Sequence, residues 1–452
     1  MNPDRLWLRF VRLALVCALV PGFGLAAWMT GAWWFGTPRG LWYLASIQTH
    51  SVALMMGWGG ATILGVALHF LPRLRAVKLF QPKWAAVLFW WLALGLGLRI
   101  IGQLLLASLD PEGHNNGVHW LNAVVAGGVS LQTIGIVGLL IILVITFRSG
   151  KPLKQNEGFR QILPLLAVAG VALILAQLAW CMGTAQSLAA GSNLAVLPSE
   201  PSWFAADLML FGFIAAISIG MSARLFPLTF RIKLASVRGL LIAAGLLALG
   251  LILTLLEAVR PAPSAATIAL AGWIAICQAG GLGCGIFSVR IFHRRKPTSN
   301  PAAPYRVWED PAAVGVVCAY AWGAVAALFL LLIALQQFGV AIPPALAQKN
   351  LPRHALGAGF MTLLIISVGW KMLPGFGGGR PQGRRLIWSA ILLGNLTALF
   401  RIAPALLPAE TVIATNWTDR LFPLAGLSGL LTIAAFALAL RLSLRRTKLV
   451  DH

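Results

Sequence analysis

The chain has 452 residues, of which 59% are hydrophobic and only 10% are charged. Soluble proteins carry a charged fraction of about 25%, so this composition excludes a soluble protein and indicates a polytopic membrane protein. The net charge of +23 favours anionic partners, but the basic residues lie in short loops between apolar runs. That placement argues against nucleic acid and predicts membrane lipid as the partner of these charges.

Twelve runs are apolar and long enough to cross a roughly 30 Å hydrocarbon core as helices. We therefore predict an all-α integral membrane protein, folded as a single polytopic domain over residues 1–452. The first run continues to Trp34, so we interpret it as an uncleaved anchor and not as a signal peptide. The predicted spans are roughly 11–34, 46–70, 84–106, 119–147, 161–188, 203–226, 239–257, 265–289, 313–338, 354–373, 386–403 and 420–440.

The basic residues alternate by side along the chain. Of the 35 Lys and Arg residues, 28 precede the first span or lie in alternate loops and the tail. By the positive-inside rule both termini are cytoplasmic, and we expect a multi-pass protein of a bacterial-type inner membrane. The tail is expected to contact anionic headgroups through Arg441, Arg445, Arg446 and Lys448.

A common frame recurs three times, at 49–73, 203–227 and 353–374. In each copy a glycine precedes a proline by 15 residues: Gly57 and Pro72, Gly212 and Pro227, Gly359 and Pro374. A polar or basic residue lies three positions before each proline, at His69, Arg224 and Lys371. The frame predicts repeats of approximately 1–147, 148–290 and 291–452, so that twelve helices form three four-helix arcs.

Two histidines lie near the predicted outer ends of their spans. His50 and His354 precede their prolines by 22 and 20 residues. At 1.5 Å per residue their depths differ by only about 3 Å. Intramembrane ionisable residues are functional candidates, and two imidazoles at one depth suit axial ligation of a single haem iron. Nearby glycines (Gly57, Gly357 and Gly359) would let a flat macrocycle approach the backbones. The alternative is that each histidine merely caps a helix at the interface.

These stretches resemble subunit I of the haem-copper oxidases and nitric oxide reductases. His50-Ser51-Val52-Ala53-Leu54-Met55-Met56, leading to Leu68-His69-Phe70-Leu71-Pro72-Arg73, is similar to the second helix of that family. Arg353-His354-Ala355-Leu356-Gly357, running to Lys371-Met372-Leu373-Pro374, resembles its tenth helix. The resemblance implies that His50 and His354 ligate one low-spin haem b. It also implies that Arg401 and Arg420 contact the haem propionates, with interfacial snorkelling as the alternative.

The chain departs from that family at the oxygen-reducing centre. The first histidine of the tenth-helix His-x-His motif falls on Pro352, and neither 203–226 nor 239–257 contains a histidine. The copper ligands of the family are therefore missing, and we do not expect a complete terminal oxidase. The chain is then more similar to the NnrS family, membrane haem proteins associated with nitric oxide stress, through His354-Ala355-Leu356. No CxxCH motif is present, so covalent c-type attachment is not expected.

The expected function is electron transfer or a nitric oxide response at one bis-histidine haem b, with a cytochrome c-like or copper-protein redox partner. A cofactor-free secondary transporter is one alternative, although transporters usually show two-fold repeats. A non-catalytic subunit of a respiratory complex is another.

Other polar residues are weaker candidates. His114 and His119 border an acidic loop and could bind copper with Asp110 or Glu112, although the ligand spacing is not tight. Arg99 and Gln103 lie one turn apart within the third span, and Arg99 needs a partner. Asp207, one of two acids placed inside spans or at their ends, shares the repeat position of His354. We therefore expect it either to pair with Arg99 or to lie beside the haem, and we favour a buried ion pair. His69 and His293 are expected to be solvated near the cytoplasmic face.

Overall fold

The computed structural model describes the chain except for residues 1–4, 111–117, 151–156, 260–264, 294–305, 407–411 and 446–452. Across the described ranges the protein is all-helical, and no strand occurs in them. An all-helical chain follows from its composition, because a helix satisfies every backbone hydrogen bond within one apolar segment.

Twelve helices in the described ranges are long and apolar enough to span a membrane, which confirms the predicted number. They are α1 (Leu6–Trp34), α2 (Leu41–Arg75), α3 (Pro82–Leu109), α4 (Trp120–Arg148), α5 (Gly158–Ala189), α6 (Ser199–Thr229), α7 (Val237–Ala258), α8 (Ile268–Val289), α9 (Pro311–Gln337), α10 (Asn350–Phe376), α11 (Arg384–Leu406) and α12 (Arg420–Leu444). Most extend a few residues beyond the predicted spans, because a helix continues past the apolar stretch that identifies it.

The helices form two compact units. Unit 1 comprises Met1–Gln155 and Gly170–Met209, and unit 2 comprises Asn156–Ala169 and Leu210–His452. Within unit 1, α3 and α4 touch backbone to backbone. A methyl group added at Gly95 would lie 2.4 Å from the backbone nitrogen of Gln132, and one added at Gly128 would lie 2.7 Å from that of Arg99. Small residues allow this close approach, which is how membrane helices gain packing energy without a hydrophobic driving force.

Helices α1 and α2 of unit 1 approach each other in the same way. A methyl group at Gly57 would lie 2.4 Å from Cys17 Cβ, and one at Gly65 would lie 2.5 Å from Phe10 Cβ. Side chains of α1 thus pack directly against glycines of α2.

An ion pair ties the ends of two helices together within unit 2. Lys371, on α10, pairs with Asp310 just before α9, and its ammonium lies 4.8 Å from the ring centroid of Phe230. The other carboxylate oxygen of Asp310 accepts a hydrogen bond from the backbone nitrogen of Ala312 at 3.0 Å and so caps α9. The repeat position three residues before Pro374 therefore has a structural role.

Three helices contain a π-helical segment at the repeated position. The segments are Ala53–Gly60 in α2, Leu208–Ile214 in α6 and Ala355–Met361 in α10. Each begins 19 residues before its proline, since the prolines are residues 72, 227 and 374. The same helices are the most enclosed, with 72%, 72% and 67% of their most apolar stretch buried, against 33–50% in the other nine. The sequence frame thus corresponds to a recurring local structure in the enclosed helices.

Candidate functional site

His50 lies inside α2 and not at its start. The helix begins at Leu41 with Gly40 as its N-cap, and α10 begins at Asn350 with Lys349 as its N-cap. Neither His50 nor His354 is therefore a capping residue, and that alternative is wrong. Both histidines instead lie just before a π-helical segment.

The His50 ring is oriented by a hydrogen bond to α1. Its Nδ1 lies 2.9 Å from the carbonyl oxygen of Gly22, within the π-helical segment Ala18–Gly24 that contains Pro21. A carbonyl oxygen only accepts, so Nδ1 carries the hydrogen and the lone pair of the neutral ring lies on Nε2. Metal-ligating histidines commonly show this arrangement, in which the second ring nitrogen donates to a carbonyl.

His354 shows the same tautomer in unit 2. Its Nδ1 lies 2.9 Å from the carbonyl oxygen of Asn350, one turn earlier on α10. The ring is partly buried, like that of His50. In a neutral ring the lone pair of each histidine therefore lies on Nε2, the nitrogen that would ligate an iron.

The glycines near these histidines do not all have the expected role. Gly57 is packed against Cys17, and a methyl group at Gly359 would lie 2.5 Å from Cγ of Trp322. The Trp322 indole is held there by a 2.9 Å hydrogen bond to Asn395 Oδ1. Gly57 and Gly359 therefore admit neighbouring side chains and not a macrocycle. Only Gly357 keeps room, since the nearest atom to an added methyl group there is Leu210 Cδ2 at 3.9 Å.

The middle copy of the frame carries a carboxylate where the third copy carries an imidazole. Asp207 directly precedes the π-helical segment of α6, as His354 does in α10. The predicted ion pair between Asp207 and Arg99 is wrong. Among the described residues the Arg99 guanidinium has no hydrogen-bonding partner for Nε or Nη1, and its Cζ lies 4.6 Å from the ring centroid of Trp180.

Unit 1 contains a largely buried group of glutamine side chains. Gln103 Nε2 contacts Gln48 Oε1 at 3.5 Å and the carbonyl of Ala195 at 3.4 Å. On α4, Gln132 donates to Gln177 Oε1 at 2.8 Å. Sequence reasoning identified Gln103 but missed Gln48, Gln132 and Gln177. An isolated glutamine within an apolar span was the signal available for each of them.

The two arginines proposed for propionate contacts lie at neighbouring helix ends. Arg401 is near the end of α11, and its Cζ lies 4.5 Å from the ring centroid of Phe422 on α12. Arg420 begins α12 and is exposed. This stacking is compatible with the snorkelling alternative, and propionate binding stays a prediction.

The remaining histidines divide into buried and exposed ones. His69 is only 7% exposed and packs edge-on against Trp7 with ring centroids 5.9 Å apart, so its predicted solvation is wrong. His293 and His119 are exposed. His114 lies outside the described residues. Within the described ranges, no group of three or more His, Cys, Asp or Glu residues could hold a metal ion, and copper binding stays a prediction.

No protein-family model and no curated protein matches the sequence. The functional interpretation therefore depends on the residues and their local geometry.

Proposed function

We propose that this protein binds one b-type haem in the membrane through His50 and His354 and serves electron transfer or a nitric oxide response. One observation carries the proposal. His50 lies three residues and His354 one residue before π-helical segments that share a place in the repeated frame, and both donate Nδ1–H to a backbone carbonyl. Single π-helical turns occur frequently at functional sites, where the widened turn frees backbone groups and redirects side chains.

The donor set fits a haem iron. A neutral imidazole with its lone pair on Nε2 is the usual protein ligand of b-type haem, and the Nδ1 bonds would fix the ring planes and raise ligand basicity. When bound, the haem would supply one-electron chemistry, while this chain orients the ligands and excludes water. Apolar, enclosed helices α2 and α10 provide surroundings of low polarity for that role.

The proposed setting follows from the helices and the charges. A chain with twelve membrane-length helices contacts lipid over its outward faces. We propose the inner membrane of a bacterium, because the basic residues alternate between loops. The proposed redox partner is a cytochrome c-like or copper protein that docks on the face opposite the basic loops.

The decisive measurement is the reduced-minus-oxidised optical spectrum of the purified protein expressed with ample haem. We expect a sharp b-type alpha band that His50→Ala and His354→Ala each abolish. His293→Ala is the matched control, because that histidine is exposed, and it should retain the band. A flat wild-type spectrum, or a band that survives both substitutions, would contradict the proposal. Added nitric oxide should change the spectrum of the reduced protein if the response role is correct.

A transporter without a cofactor is the second candidate. It is favoured by the buried polar side chains of unit 1, because charged and polar groups within membrane helices commonly mark substrate paths. A flat spectrum combined with uptake of a solute into vesicles would support it over the haem protein.

A further inference from the structure

Arg99 is a buried cation of unit 1 that has no acidic partner in the described chain. The residue is 1% exposed and lies on α3 near the middle of a membrane-length helix. Trp180 covers one face of the guanidinium, with Cζ 4.6 Å from the ring centroid. Nε and Nη1 are buried and have no hydrogen-bonding partner among the described residues.

A charge in this position needs compensation. An uncompensated cation within the hydrocarbon region is costly, and arginines in such places usually pair with acids or donate to backbone carbonyls. Asp110 directly follows α3, 11 residues after Arg99 and about 16 Å further along the helix axis. It accepts a hydrogen bond from Asn193 at 2.8 Å.

Uncharged polar side chains lie near Arg99 on α3 and on the part of α4 that packs against it. Gln103 lies one turn further along α3, and its Oε1 is buried without a hydrogen-bonding partner among the described residues. The same holds for Gln132 Oε1 on α4, whereas the Gln132 amide nitrogen donates to Gln177. Neutral amides and a thioether, from Met56 at 3.8 Å from Gln177 Nε2, complete the cluster. The unpaired amide oxygens only accept hydrogen bonds, so the cluster offers Arg99 neutral acceptors and no counter-ion.

We propose that Arg99 binds a small monovalent inorganic anion, of the size of chloride, bromide or nitrate, inside unit 1. A single cation calls for a single negative charge, and the absence of a described acidic partner leaves that charge to a ligand. Close contact of α3 with α4 at Gly95 and Gly128 restricts the ligand to a few atoms. The indole and thioether neighbours favour a weakly hydrated anion, since such an ion loses less on leaving water. Arg99 is not one of the proposed haem ligands.

Thermal unfolding of the purified full-length chain tests this proposal. Potassium bromide would replace potassium gluconate at constant ionic strength, because gluconate is too large for the site. We expect a saturable rise in the unfolding temperature of wild type, on the order of 3 °C, because a ligand of the native state alone stabilises it by mass action. Arg99→Gln should remove the rise. Arg75→Gln is the matched control: Arg75 is also buried in unit 1, but it donates to the carbonyl of Phe147 at 3.2 Å.

Diffraction from wild-type crystals grown in bromide keeps the test informative if Arg99→Gln does not fold. We expect an anomalous peak beside the Arg99 guanidinium. Absence of both the peak and the wild-type bromide response would overturn the proposal, as would an equal response in Arg99→Gln. None of these readouts depends on haem, so they separate this site from the proposed function.

Discussion

Single glycines decide how closely α1 and α2 of unit 1 approach. Gly57 was expected to make room for a cofactor, yet its open side is filled by Cys17. The close contact brings α1 against α2, where Gly22 accepts the hydrogen bond from His50. A glycine that is identified from sequence can thus serve the site indirectly, by bringing a second helix near the histidine.

We predict that Gly57→Ala destabilises the protein by about 1–3 kcal/mol, because the added methyl group overlaps Cys17 and packed interiors resist overfilling. The measurement is the unfolding transition of the detergent-solubilised protein. Gly97→Ala is the control, since an added methyl group at Gly97 meets nothing within 4 Å. Equal stability of the two variants would contradict the packing role of Gly57. The double variant Gly57→Ala, Cys17→Gly should recover part of the loss.

The tautomer of each proposed haem-ligating histidine is also a property of a single residue. Sequence reasoning selected His50 and His354 by their depth and by family resemblance, and it left open whether they cap helices. The structure removes the capping alternative, because Gly40 and Lys349 occupy the N-cap positions. The partners of Nδ1 could not be predicted, since one of them, Gly22, lies 28 residues away on another helix.

Among the helices, the π-helical segments are the main structural feature that the sequence did not predict. They start at equal distances before Pro72, Pro227 and Pro374, although the residues within them differ. A wider turn shifts the register of every residue that precedes it in the helix. The segment in α10 therefore determines which direction His354 faces relative to the rest of that helix.

Deletion of Gly357 tests this role. Removing one residue should convert the segment towards regular α-helix and so remove the widened turn next to His354. We expect the deletion to abolish the proposed haem band while the protein remains monodisperse in detergent. Gly357→Ala is the matched control and should keep the band, because an added methyl group meets only Leu210 Cδ2 at 3.9 Å. A wild-type spectrum from the deletion variant would contradict the argument.

At the level of the whole molecule, the orientation in the membrane is open to a direct test. Twelve spans place both ends of the span array on one side, and the basic loops predict that this side is the cytoplasm. A fluorescent-protein fusion after residue 452 should fluoresce, and an alkaline phosphatase fusion at the same place should be inactive. A phosphatase fusion after Arg39, between α1 and α2, should be active. The opposite pattern would reverse the predicted topology.

Hydropathy alone determined that the chain is an all-helical membrane protein with twelve spans. The physical reason is that a backbone in hydrocarbon must satisfy its own hydrogen bonds, so a long apolar run predicts a helix with little dependence on its neighbours. The proline frame likewise identified α2, α6 and α10 as related. Helix ends were less predictable, because Leu41 and Asn350 start helices ahead of the apolar runs.

Tertiary structure decided which side chains meet. These helices are apolar on nearly every face, so the sequence has no clear pattern that tells a packed face from a lipid-facing one. The burial of His69 against Trp7, the contact of Trp322 with Gly359 and the placement of Arg99 against Trp180 all depend on neighbours distant in sequence. Polar residues are easily recognised in an apolar sequence. Only the packing of the helices determines whether each of them contacts an acidic side chain, an aromatic ring or a backbone carbonyl.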